Sequence, residues 1–261
     1  PLRYFTLTLC NVIVTLTSNI YFIYILQMGV VGALYAALLG STITFVISFP
    51  YIIKRINIKY FSYSTLKELL IFGLPFLPSI IFQMVIDFSD RIILLNLTNM
   101  DLVGIYSAGY KIGGLLLLLI SGFRLGWEPY FLKLENDKNN SVIISTVATN
   151  VILFFITIIL FTVLFLKPIL TTDLFGFPFL GKNFWQSINL IPIIMFGYVF
   201  LGFYYLQLPG IYYFNKTKYL PVFRGSAAIL NIVLNFALIP YFGLYGAAVA
   251  TALSFLLMAI L

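Results

Sequence analysis

The chain is a succession of apolar runs, each long enough for a helix to cross the hydrocarbon core of a bilayer, a distance that takes roughly 20 residues. The runs extend from Phe5 to Leu26, Val30 to Ile53, Leu69 to Leu97, Leu102 to Phe123, Val142 to Leu166, Ile188 to Leu208, Pro221 to Ile239 and Leu244 to Leu261. Hydrocarbon offers a backbone no hydrogen bonds, so only helices and closed barrels span it. Barrel strands would show as short segments of alternating polarity, and these runs are continuous. The pattern predicts an all-α, polytopic bundle of about eight transmembrane helices, multi-pass in the inner (cytoplasmic) cell membrane.

Composition narrows the chemistry. Charged residues make up 9% of the chain and hydrophobic residues 62%, with a mean hydropathy of +1.06. Ordinary soluble domains are roughly 25% charged, and none could cover this much apolar surface. Histidine is absent and Cys10 is the single cysteine. Intrachain disulfides, Cys/His metal sites and histidine acid/base catalysis are excluded, and no metal or cofactor is expected. Any proton chemistry must use carboxylates. The net charge of +7 is spread thinly between apolar runs and forms no stripe that could track nucleic-acid phosphates.

The basic residues instead report topology. With the segment from Lys54 to Lys67 cytoplasmic, alternation puts Arg3, Lys54, Arg55, Lys59, Lys67, Arg124, Lys133, Lys138, Lys216, Lys218 and Arg224 on that side. Lys167 and Lys182 fall outside, a ratio of eleven to two. The positive-inside rule selects this orientation. Arg91 and Lys111 remain at membrane depth.

The chain opens at Pro1 without a methionine and closes at Leu261 within an apolar run, so we expect the later part of a longer, transporter-sized protein. The opening run is too long for a signal peptide. Gly29, Gly32, Ala33, Ala36 and Leu39 recur as Gly243, Gly246, Ala247, Ala250 and Leu253 at a constant offset of 214. Either small residues simply pack many membrane helices, or the copies belong to parallel repeats. The second reading makes residues 1–53 the last two helices of a first six-helix lobe. Residues 54–67 become a basic cytoplasmic connector, and residues 68–261 a complete second lobe.

Charged groups at membrane depth are costly, so those present usually face a cavity or a partner. In the third span Ser79, Gln83, Asp87, Asp90 and Arg91 share one helical face. Asp87 and Arg91 are four apart, the spacing at which acid and base can touch. The next span returns after a short turn and carries Ser107, Lys111 and Gly114. Arg91 and Lys111 then lie roughly 10 to 15 Å from that turn, at similar depth on neighbouring helices. They either converge on a bound anion in a cationic pocket tuned by Asp87 and Asp90, or close a self-neutralised structural network.

Other candidates carry two readings each. Asn231 and Asn235 share a helix face and either line a cavity or bond between helices. Arg124, near Trp127, Glu128 and Pro129, either meets an anionic headgroup or snorkels to the interface beside an aromatic belt. The many tyrosines, including Tyr204, Tyr205, Tyr212 and Tyr213, fit interface anchoring and lipid-facing packing. Pro75, Pro78, Pro192, Pro209 and Pro240 mark candidate kinks.

These residues also carry a resemblance. Asp90-Arg91-Ile-Ile-Leu, followed by Val103-Gly104-Ile-Tyr106-Ser-Ala-Gly-Tyr110-Lys111, resembles the signature that opens the second lobe of the polysaccharide exporters. These are the oligosaccharide flippases of the multidrug/oligosaccharidyl-lipid/polysaccharide (MOP) superfamily. Gly122 to Tyr130 is similar to the segment that follows, and Asn231 to Ala250 to the lobe-ending helices. The resemblance implies a MATE-like transporter of two six-helix lobes around a central cavity. By alternating access it would move a polyprenyl-diphosphate-linked oligosaccharide, such as an O-antigen or capsule unit, outward through the lipid bilayer. The family's cavity cations carry over to Arg91 and Lys111.

The leading expectation is therefore a flippase for lipid-linked oligosaccharide, a carrier and not an enzyme. Its substrate-binding candidates are Arg91, Lys111, Asp87, Asp90, Gln83, Asn231, Asn235 and Arg124. A cation-coupled multidrug exporter, exchanging protons or sodium at Asp87 or Asp90, is the alternative, although Arg91 and Lys111 would repel a cationic drug. A membrane glycosyltransferase or polymerase is disfavoured, because the outer loops hold Asp173 and little else acidic.

Overall fold

The structure is a computed structural model that describes residues 2–55, 57, 61–174 and 177–261. Lys59 lies outside the described residues, as does the side chain of Arg3. The helices are α1 (Leu2–Asn19), continued by π-helical turns over Ile20–Ile25, α2 (Gly29–Ile53), α3 (Tyr63–Gly73), α4 (Phe76–Leu97), α5 (Met100–Lys133), α6 (Asn140–Thr171), α7 (Ile191–Tyr213), α8 (Leu220–Phe242) and α9 (Leu244–Ile260). Among the described residues, seven helical stretches are long and apolar enough to cross a membrane: Phe5–Ile25, Gly29–Tyr51, Tyr63–Leu97, Met100–Lys133, Asn140–Thr171, Lys182–Tyr213 and Thr217–Phe242. The eighth, α9, is apolar but shorter at 17 residues. The all-helical, polytopic reading holds, with seven full spans and one shorter helix.

The third expected span is not a single rod. It breaks at Leu74 and Pro75 into α3 and α4. The cause is local: Pro75 and Pro78 lack amide hydrogens, and their rings crowd the carbonyls four residues back. Between α6 and α7 the chain forms a minimal antiparallel pair, β1 (Asp173–Leu174) with β2 (Phe177–Pro178), in the register Asp173 to Pro178 and Leu174 to Phe177. A 3₁₀ helix over Lys182–Leu190 then leads into α7.

The chain divides into two compact units, Pro1–Leu66 and Lys67–Leu261. In the smaller unit α2 packs on α1, and Asn11 Nδ2 donates to Thr44 Oγ1 at 3.1 Å. In the larger unit α7 is the central element. It contacts α5, α6 and α9 and is buried nearly all round, as its apolar composition on every face requires.

Lipid tails are as apolar as leucine, so helix association in a bilayer relies on close packing of small residues. A Cβ on Gly197 would lie 3.1 Å from Ala252 Cα, and one on Gly202 would lie 3.0 Å from the Phe155 ring. The repeated motif has the same local geometry in both units. Gly29 and Gly243 take φ of +55° and +54°, conformations that favour glycine, and each precedes or opens an apolar helix. The second glycine abuts the preceding helical segment in each copy. A Cβ on Gly32 would lie 3.1 Å from the Phe22 backbone, and one on Gly246 would lie 2.6 Å from the Leu238 carbonyl. Ala36 and Ala250 are both fully buried.

Two of the basic residues counted for topology lie against tyrosine rings of α7, Arg124 of α5 on Tyr205 and Arg224 of α8 on Tyr204. Without them the cytoplasmic excess is still nine to two. With Cys10 replaced, a cysteine at exposed Asn139 should be labelled by an impermeant maleimide only from the cytoplasmic face, and one at exposed Asn183 only from outside. Labelling of both from one face would refute the topology. Gly197→Val should separate α7 from α9 and cost about 1–3 kcal/mol through overpacking. A lowered melting temperature in detergent would show this, while Gly122→Ala, with open space around it, should melt like the wild type.

Candidate functional site

The polar groups of the larger unit form a seam between α4, α5, α7, α8 and α9. On α4, helical periodicity turns Ser79, Ile86, Asp90 and Ile93 inward, while Gln83 and Asp87 lie at the edge of that stripe. Asp90 is fully buried. Its Oδ2 accepts a hydrogen bond from the Tyr106 hydroxyl at 2.5 Å, and its Oδ1 accepts from the Arg91 main-chain N–H at 2.7 Å. Arg91 Nη1 stands 3.6 Å from Asp90 Oδ1. The guanidinium lies over the Tyr110 ring, 4.7 Å from its centroid. The Tyr106 and Tyr110 rings are 4.8 Å apart, and Tyr198 of α7 meets Tyr110 edge-on at 6.3 Å.

The spacing of Asp87 and Arg91 anticipates an ion pair that the side chains do not form. Arg91 Nη1 donates to the main-chain carbonyl of Asp87 at 2.5 Å, whereas the Asp87 carboxylate accepts from Gln83 Nε2 at 3.1 Å. The physical reason is burial. Asp90 has no solvent and must be matched from within the protein, so it draws the guanidinium inward, while Asp87 is exposed and needs it less.

Lys111 is not drawn into this cluster. It lies one residue, about 100° of helix, beyond Tyr110, and its side chain is exposed. No hydrogen bond or ion pair joins it to Arg91, Asp87 or Asp90. The structure thus brings Arg91, Asp90, Tyr106 and Tyr110 together and leaves Lys111 outside that contact.

Asn231 and Asn235 are fully buried and act between helices. The Ser89 hydroxyl donates to Asn231 Oδ1 at 2.6 Å, and Asn231 Nδ2 donates to Thr251 Oγ1 at 3.2 Å, so α8 is tied to both α4 and α9. Asn235 Nδ2 donates to the Asn231 carbonyl and to Asn231 Oδ1, while Asn235 Oδ1 has no partner. The Tyr110 hydroxyl lies close to Thr251, which links this group to the Asp90 cluster.

Further along α5, Arg124 Nε donates to Glu128 Oε1 at 2.6 Å, and its guanidinium covers the Tyr205 ring at 4.7 Å. One expectation needs correction: Tyr204 and Tyr205 are not lipid-facing anchors, being 1% and 7% exposed. Trp127 is buried as well, stacked on Phe123 at 5.6 Å. These side chains sit on inward faces of α5 and α7, and residue type alone does not reveal the face.

Sequence reasoning missed Arg224 as a site residue. It is 9% exposed, with its guanidinium 5.6 Å from the Tyr204 centroid. A signal was present, because Arg224 shares its face of α8 with Asn231 and Asn235 at spacings of 7 and 11.

The fold and the seam define a multi-pass helical membrane protein of the cell membrane with the architecture of the MATE transporters. No protein-family model matches the chain. A Shigella flexneri protein named "Putative O-antigen transporter" is 25% identical over 239 residues, covering 90% of this chain and 55% of its own length. An outward-facing multidrug-resistance MATE transporter of the MOP superfamily superposes with a TM-score of 0.78 at 18% identity, over 99% of this chain and 60% of its own. A MOP-superfamily transporter from Pyrococcus furiosus, described as having a binding pocket of reverse polarity that suggests a different function, superposes with a TM-score of 0.77 at 17% identity, over 99% and 60%. The chain therefore spans little more than half the length of these proteins. Sequence and fold both agree with the resemblance to the MOP superfamily.

Tyr106→Phe removes the hydroxyl that bonds buried Asp90. It should destabilise the protein by about 1–3 kcal/mol, read as a lower melting temperature in detergent. Adding Asp90→Asn should recover part of that loss, because the carboxylate charge is removed too. An unchanged melting temperature for Tyr106→Phe would mean that Asp90 does not depend on this bond.

Proposed function

We propose that the chain belongs to a transporter that flips a polyprenyl-diphosphate-linked oligosaccharide, an O-antigen, capsule or related unit, across the cytoplasmic membrane by alternating access. The observation that carries the reading is Lys111. It is an exposed cation about 16 Å along α5 from Met100, at a depth where charge is costly, and no acid among the described residues pairs with it. A diphosphate supplies the missing counter-charge, and its polyprenyl tail can remain in lipid while the sugar occupies the aqueous cavity. Similarity to the named Shigella protein over 90% of the chain supports the same class of substrate.

Arg91 serves in this reading as the second cation. It is held back by Asp90 and the Asp87 carbonyl, so binding would draw it away from contacts already formed. The oxygen-rich group of Asp90, Tyr110, Asn231, Asn235 and Thr251 is where a coupling proton or sodium ion would be accommodated. Asn235 Oδ1 offers a buried acceptor that nothing uses. The alternative, a cation-coupled multidrug exporter, is favoured by one feature, the exposed Asp87 carboxylate whose described partner is Gln83.

Export of the glycan by living cells separates the two. Lys111→Ala should lower surface glycan at least tenfold at normal protein level, Lys111→Arg should retain most of it, and Asp87→Asn should have the smaller effect. Normal export by Lys111→Ala would end the cationic-pocket reading. Increased sensitivity of Asp87→Asn cells to cationic dyes, with glycan export intact, would install the exporter in its place. The pairing of Arg91 with Asp90 also predicts that Arg91→Gln combined with Asp90→Asn restores protein level. Export stays low in that double variant if Arg91 touches the diphosphate.

A further inference from the structure

We propose that the cytoplasmic end of the seam is a binding site for a phosphate-type oxyanion, held by Arg224 and Arg124 above the paired rings of Tyr204 and Tyr205. This goes beyond the transport reading. Arg124 lies about 20 Å along α5 from Lys111, and the site does not depend on which substrate is carried.

The argument begins with an unmatched charge. Arg224 is 9% exposed, yet its Nε has no hydrogen-bond partner and no ion pair among the described residues reaches it. Its one close neighbour of note is the Tyr204 ring, 5.6 Å away, and the hydroxyl of that tyrosine, itself 1% exposed, also lacks a partner. The Arg224 Nε and the Tyr204 hydroxyl are thus buried side by side, and among the described residues no acceptor outside this pair reaches either of them. Native interiors seldom leave donors so.

The second arginine completes the arrangement. Tyr204 and Tyr205 follow one another on α7 with ring centroids 5.6 Å apart, and Arg124 of α5 lies 4.7 Å over Tyr205. Three helices therefore bring two guanidinium groups onto two adjacent rings. Arg124 uses its Nε on Glu128, which leaves the terminal nitrogens of its fork available. Acids do not satisfy Arg224 directly. Glu128 is bound to Arg124, and Asp87, which feels the charge of Arg224, has its carboxylate bonded to Gln83.

The chemistry of the donors selects the ligand. Guanidinium groups present planar forks of N–H donors that match tetrahedral oxyanions in pairs. Two forks with a phenol between them suit a group with several oxygens and more than one negative charge, a phosphate monoester or diphosphate. A lipid headgroup and a soluble phosphate compound both present this group.

The test uses the protein purified in detergent. Pyrophosphate titrated by calorimetry should bind wild type, and Arg224→Gln should weaken binding at least tenfold. Arg224→Lys, which keeps the charge and loses the fork, should fall between them and decides the matter if the glutamine variant does not fold. The same comparison made in the Lys111→Ala background, where the cation that the transport reading gives to the diphosphate is gone, should show the same loss with Arg224→Gln, so failure of the transport reading and failure of this site remain distinguishable. Retention of phosphatidylglycerol by wild type but not by Arg224→Gln, with no pyrophosphate binding, assigns the site to a lipid headgroup. Equal binding of both probes by wild type and the Arg224 variants overturns the proposal. So does a loss of thermal stability in anion-free Arg224→Gln that Asp87→Asn reverses, because Arg224 would then be the structural counter-charge of Asp87.

Discussion

A bilayer supplies no hydrogen bonds, and everything in this structure follows from how the chain meets that constraint. Each span satisfies its backbone internally as a helix. Pro75 interrupts one rod between α3 and α4, whereas Pro209 and Pro240 lie inside the continuous helices α7 and α8. The hydrophobic effect does not hold such helices to one another, so cohesion passes to close approach and to buried polar contacts. The contact of Gly197 with Ala252 is one kind, and the bonds that tie Asn231 to Ser89 and Thr251 are the other.

Buried polarity is the more demanding of the two. Asp90 is matched on both oxygens, and Arg124 is matched by Glu128. Among the described residues, Arg224 Nε and Asn235 Oδ1 are left over, as are the hydroxyls of Ser79, Ser187 and Tyr204, Gln83 Oε1 and Trp127 Nε1. The buried Asp90 carboxylate holds Arg91 at one end of the seam, and at the other Arg124 and Arg224 lie on a pair of tyrosine rings, with Glu128 bound to Arg124.

Much of the fold was legible because hydropathy is a local property that sums along the chain. The eight apolar runs, the turn between α4 and α5, and the glycine motif at residues 29 and 243 could all be read without contacts. The candidate site was legible in its composition but not in its pairing. Asp87, Asp90, Arg91 and Lys111 could be named, yet helical spacing favoured Asp87 as the partner of Arg91, and burial favoured Asp90. The tyrosines of α7 were misjudged for the same reason. Tyrosine suits both a membrane interface and a packed interior, and which it occupies depends on the helices around it.

The sequence by itself determined that this is an all-helical membrane protein, the orientation to expect of its loops, and which few charges must be explained at membrane depth, because those properties depend on residue type and order. Tertiary structure decided which of those charges meet. It laid Arg124 and Arg224 on a pair of tyrosines, held Arg91 against a buried carboxylate and left Lys111 exposed, because rotation of each helix about its axis is set by packing against its neighbours and not by its own apolar run.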